Sequence, residues 1–68
     1  MNRRKPMTGA RLRSLRRRAG LTQGQLGDIA RMHPNTLSRL EGEQVIPYRT
    51  SEYLRGLLER ILAPGQVA

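Results

Sequence analysis

Three polar side chains, Asn35, Ser38 and Arg39, recur at i, i+3 and i+4, a spacing that puts them on one face of a helix. Their chemistry is recognition. A carboxamide presents donor and acceptor side by side, a guanidinium presents a fork of donors, and a hydroxyl serves as either. Residues for covalent work are poorly supplied. With no cysteine there is no thiolate nucleophile, no disulfide framework and no Cys-based zinc site. His33 is the sole histidine, and one imidazole without a second His or a Cys makes no metal site. Capping a helix or touching a phosphate is the better use for it. Ser, Asp and Glu form no recognisable nucleophile–base arrangement, and the chain is too short for a deep pocket. The expectation is a protein that is no enzyme, needs no cofactor and takes no small-molecule ligand.

Helices must position these groups. Thr8 can cap a first helix running to about Ala19, closed by Gly20 in the left-handed conformation. Leu12, Leu15 and Ala19 give it one apolar edge, and arginine covers the rest. Thr22 caps a second helix, with Gln25 completing a capping box; Leu26, Ile29 and Ala30 form its expected buried face. Gly27 falls where a close helix–helix crossing needs a small side chain, whereas Gly24 has no evident packing reason. After a turn of Arg31, Met32 and His33, Pro34 opens a third helix, with Leu37 and Leu40 inward and Gly42 ending it. The pairs Met7/Leu12, Leu21/Leu26 and Met32/Leu37 all have the spacing of a hydrophobic staple. Residues 43–49 read as a loop in which Val45, Ile46 and Tyr48 fold back onto the core. Thr50 or Ser51 is the expected cap of a fourth helix ending near Leu62. Its apolar residues Tyr53, Leu54, Leu57, Leu58, Ile61 and Leu62 cover more than one stripe, so one edge should meet the core and the other a second copy. The fold class that follows is all-α, a compact four-helix bundle in which helices two and three make a helix-turn-helix.

Length and charge set the limits. Sixty-eight residues, with no Trp or Phe and only Tyr48 and Tyr53 as aromatics, make one small domain with a core mainly of Leu and Ile. Residues 1–7 read as a flexible basic arm, 8–62 as the domain and 63–68 as a tail. No apolar run approaches the ~20 residues that span a bilayer, and the basic start leads into no apolar segment, which points to a cytoplasmic protein. The net charge is +8, and residues 1–27 carry eight basic side chains and no acid. Residues 28–68 carry five of each, so the excess lies in the first part. Such asymmetry implies a polyanionic partner, most simply nucleic acid; the alternative is a merely solvated face.

Residues 12–41, LRSLRRRAGLTQGQLGDIARMHPNTLSRLE, resemble the DNA-binding domain of the lambda-repressor/Cro-type (XRE-like) helix-turn-helix family. The matching pieces are Leu15-Arg16, Gly20-Leu21-Thr22-Gln23, Leu26-Gly27 and Thr36-Leu37-Ser38-Arg39-Leu40-Glu41. Arg31 stands where that family has a turn glycine, His33 where it has a Ser or Thr cap, and there is no room for its usual fifth helix. The resemblance implies that helix three enters the major groove, with Asn35 and Arg39 as principal base readers, Ser38 beside them and Pro34 offering apolar contact. It implies phosphate contacts at Gln23 and Thr22, and a structural ion pair between Arg16 and Glu41. That leaves Arg11, Arg13, Arg17, Arg18 and His33 as further phosphate contacts.

The expected function is a homodimeric transcriptional regulator, a repressor or autorepressor, reading a palindromic operator in double-stranded DNA. Tyr53, Leu54, Leu57, Leu58 and Ile61 are its expected dimer interface. Size and class also resemble regulators of phage and mobile elements. The competing reading is a protein-interaction module, such as a small antitoxin or adaptor, using the apolar face of helix four. A membrane-active peptide is disfavoured because helix one has too few apolar residues, and RNA binding because no aromatic interrupts the basic surface.

Overall fold

The computed structural model describes residues 5–63; most of the expected basic arm and tail lies outside them. Four helices follow in order: α1 (Gly9–Arg18), α2 (Gln23–Ala30), α3 (Pro34–Glu41) and α4 (Tyr48–Leu62). No strand occurs among the described residues. The all-α architecture expected from the sequence is therefore the one observed.

Each start and stop has a local cause. The Thr8 side chain accepts from the Arg11 amide, and Thr22 and Gln25 form the reciprocal capping box. Gly20, at φ 74°, turns the chain between α1 and α2. The staple residues join one core: Met7, Leu12, Leu26 and Leu37 are buried, with Leu21 and Met32 packed against them. Leu15, Ala30, Leu40, Ile46, Leu54 and Leu58 complete that core. α1 lies between α3 on one edge and α4 on the other.

Three expectations fail, and a fourth holds with a different obstacle. Ile29 is 45% exposed, so α2 buries Leu26, Gly27 and Ala30 instead. With only two turns, α2 has room for one narrow inward stripe. Gly27 is needed for a different reason from a helix crossing: a Cβ there would lie 2.5 Å from the Met32 carbonyl oxygen, where the turn doubles back. In the loop after α3 only Ile46 reaches the core, while Val45 and Tyr48 are exposed. Finally, neither Thr50 nor Ser51 caps α4. The helix begins at Tyr48, with Pro47 in the cap position and no side-chain cap bond. Ser51 is wholly buried, and its hydroxyl accepts from the Met7 amide at 2.6 Å. The Ile46 amide donates to the Met7 carbonyl at 2.8 Å, so both backbone groups of Met7 are tied down. This leads the chain into α1 by a fixed route.

Gly9 has a role that the sequence did not signal. A Cβ at this position would sit 2.4 Å from the Leu40 carbonyl oxygen and 2.5 Å from that of Glu41. The Gly9 amide itself donates to Glu43 at 2.9 Å. The first turn of α1 thus rests directly on the last turn of α3. Both obstacles are backbone, so neither can swing aside. Gly9→Ala should destabilise the domain by about 1–3 kcal/mol, the range for overpacking a tight contact. A urea midpoint equal to that of the unsubstituted protein would refute the close approach.

Candidate nucleic-acid interface

α3 is two-faced. Leu37 and Leu40 are buried beneath it, while Pro34, Asn35, Ser38 and Arg39 are exposed on the opposite side. Pro34 begins the helix, where its missing N–H costs nothing. His33 occupies the cap, with Nδ1 accepting from the Asn35 amide at 3.0 Å. An imidazole here does the work of the usual hydroxyl or carboxylate. Asn35 is therefore held at its backbone by the residue two positions earlier, and its carboxamide projects outward from the first turn.

The turn is made without glycine. Arg31 adopts φ 58°, ψ 46°, the left-handed conformation, and its side chain is exposed. The Met32 amide closes the end of α2 by donating to Gly27 at 2.9 Å. From the α4 side, the Tyr53 hydroxyl donates to the Ala30 carbonyl at 2.9 Å, capping one of the last acceptors of α2. A β-carbon in this conformation costs about 1–2 kcal/mol. Arg31→Gly should therefore leave the fold intact and raise the melting temperature, an outcome that thermal denaturation reads directly. A lower melting temperature would mean that the arginine side chain contributes more than its backbone costs.

Arg16 and Glu41 are brought together. Arg16 Nε donates to Glu41 Oε2 at 2.6 Å and Nη2 donates to Oε1 at 3.2 Å, a bidentate pair. Its third donor, Nη1, reaches the Leu21 carbonyl at 2.8 Å. The two side chains are 10% and 6% exposed. Gln23 joins them, its Nε2 donating to Glu41 Oε1 at 3.1 Å. One carboxylate thus receives a side chain from α1 and another from α2 while belonging to α3. Burial pushes the Glu41 carboxyl up, but hydrogen bonds from Arg16 and Gln23 and the charges of Arg16 and Arg13 outweigh it, leaving a pKa below the ordinary 4.5.

This network changes the picture of Gln23. Its side chain is not simply projected from the amino end of α2; it is anchored within the protein. An amide nitrogen has two protons, so one remains for an external acceptor while the other holds Glu41. Thr22 is exposed, and its oxygen accepts from the Gln25 amide at 3.0 Å, which leaves the hydroxyl proton available outward.

The basic side chains of α1 divide into two groups. Arg13, Ser14 and Arg17 line a shallow concavity with Glu41 at its wall, on the edge nearest α3. Arg18 reaches both edges. Arg11 turns the other way, towards α4. Arg11 therefore stands apart from Arg13 and Arg17.

A family model described as a helix-turn-helix domain matches residues 8–66. The chain belongs to this family. Its helix-turn-helix is formed by α2, the turn at Arg31–His33 and α3, and the match is consistent with the XRE-like resemblance of residues 12–41. A helix-turn-helix domain is a DNA-binding domain, with its second helix as the recognition element. No curated protein and no solved structure gives a significant match to the chain. No described helix of this helix-turn-helix protein is long and apolar enough to cross a membrane. Among the described residues there is also no group of three or more His, Asp or Glu placed to hold a metal ion.

The expected dimer residues separate by burial. Leu54 and Leu58 are wholly inside the core of their own chain and have no side-chain surface to offer a second copy. They are corrected to core residues. Tyr53 and Ile61 are exposed and Leu57 is half-buried, leaving a narrower apolar stripe on α4.

Proposed function

We propose that this helix-turn-helix protein is a sequence-specific transcriptional regulator that binds double-stranded DNA as a homodimer and represses from a two-fold operator. The observation that carries the reading is the outward face of α3, where Asn35, Ser38 and Arg39 stand exposed above a helix pinned by Leu37 and Leu40. Arg39 would pair with guanine and Asn35 with adenine, with Ser38 adjustable between them and Pro34 against a thymine methyl. Gln23 and Thr22 would hold one phosphate at the amino end of α2, where the helix dipole favours an anion. His33, Arg13 and Arg17 would fix further phosphates along the same backbone, and these carry no sequence information.

Tyr53, Leu57 and Ile61 on α4 would supply the contact between copies. Two recognition helices would then enter successive major grooves ~34 Å apart. Selection of bound sequences from a random duplex library tests the whole reading. A two-fold motif is the expected result, and enrichment of a single unsymmetrical half-site would remove the dimer. No enrichment at all would overturn sequence-specific binding.

A further inference from the structure

We infer that the groove between α1 and α4 is a docking site for an acidic protein segment carrying an apolar anchor, separate from the DNA-reading face. Leu15 and Leu62 form its apolar floor, with the chain entering α1 along one side. Lys5, Arg11, Arg18 and Arg55 rim it, and no residue of α2 or α3 takes part.

Charge and apolar character together select the occupant. Arg55 is paired with Glu52 at 2.7 Å and also donates to the Lys5 carbonyl, and Glu59 stands on the same rim. Four cations against these two carboxylates still leave a positive excess. A cationic rim recruits carboxylates and steers their approach. The stems of the exposed Arg11 and Arg18 add apolar surface to the leucine floor while their heads stay in water. DNA gains nothing from such a floor, since phosphates and sugars present no apolar side chain to fill it. A second copy is a poor fit here, because Tyr53, Leu57 and Ile61, the stripe the proposed dimer uses, lie outside this groove and carry no acid to meet its rim. An acidic segment with a leucine-like anchor satisfies both the rim and the floor, in the manner of a helix laid in a groove.

The direct test is fluorescence anisotropy of the full chain with a labelled amphipathic peptide of leucine and glutamate at helical spacing, near physiological salt. The parent peptide should bind. Replacing its glutamates with glutamine, or its leucines with serine, should each weaken binding by about tenfold or more. In the protein, the exposed-site variant Arg18→Glu and the floor variant Leu62→Ser should each give a similar loss. Arg13→Ala on the opposite edge of α1 and Arg39→Ala on α3 should change nothing. That last control separates this site from the DNA reading, so failure of one leaves the other standing. Absence of binding would overturn the inference, as would equal binding of the serine-substituted peptide, which would mean mere polyelectrolyte attraction. Binding that emerges only after deletion of residues 64–68 would assign the groove to the chain's own end and overturn it too.

Discussion

Glu41→Ala should lose about 3–5 kcal/mol of folding stability, the range found when one partner of a buried ion pair is removed and the other charge is stranded. A domain of this length has on the order of 3–10 kcal/mol in total. The variant should therefore be partly or wholly unfolded at room temperature, as urea titration followed by circular dichroism would show. Arg16 would be the stranded group, with two of its three bonded donors aimed at the missing carboxylate. The double variant Arg16→Met/Glu41→Leu should recover most of the loss, because apolar replacements remove both charges together. A small effect of Glu41→Ala would mean that water reaches Arg16 freely. The same pair gives a pH dependence with a definite sign. The folded-state pKa of Glu41 lies below 4.5, so its contribution is complete above that value and is lost as pH falls through the lower one. Glu41→Gln should flatten this acid limb of the stability curve.

On DNA, Arg39→Ala should cost ~1–3 kcal/mol of specific affinity and relax discrimination at one operator position. That is roughly 5- to 150-fold in binding constant. Arg17→Ala should behave differently, weakening all sequences alike and reducing the salt slope by about one unit, as loss of one phosphate contact requires. The contrast is the useful measurement. If Arg17→Ala changed sequence preference while Arg39→Ala did not, the reading face would have to be moved from α3 to α1.

The helices were legible in the sequence because their ends are local events. Thr8, Thr22 with Gln25, Pro34 and Gly20 act on neighbours within a few residues, so residue type and spacing suffice to place them. Arg31 was legible in part: the missing turn glycine marked the position, but either a left-handed arginine or a reshaped turn could have answered it, and the structure has the left-handed one. What could not be read depends on residues far apart in the chain. Nothing near Gly9 announces the Leu40 and Glu41 carbonyls above it. Ser51 looks like a cap until Met7, 44 positions away, claims its hydroxyl. Leu54 and Leu58 were indistinguishable from Tyr53, Leu57 and Ile61 by type alone; only the packing of α1 against α4 decided which of them went inside. The division of the α1 arginines between two edges was hidden for the same reason. Gln23 had a partial signal, because the family position named it and Glu41 as important, but not as partners.

The hydrogen bond from Tyr53 to Ala30 has a thermodynamic corollary. Tyr53 belongs to the exposed stripe of α4, yet its hydroxyl closes the end of α2, one residue before the strained Arg31. On the proposed dimer, a second copy covering that ring would shield the bond from water and favour the closed turn. The same turn sets the angle at which α3, on the proposed reading, would meet DNA. Assembly and operator binding would then draw on the same closed state, and linkage makes the relation reciprocal: whatever factor the dimer adds to operator affinity, the operator must return to the dimer. Tyr53→Phe, which leaves the ring on the stripe and removes only the hydroxyl, is the substitution that would uncouple the two.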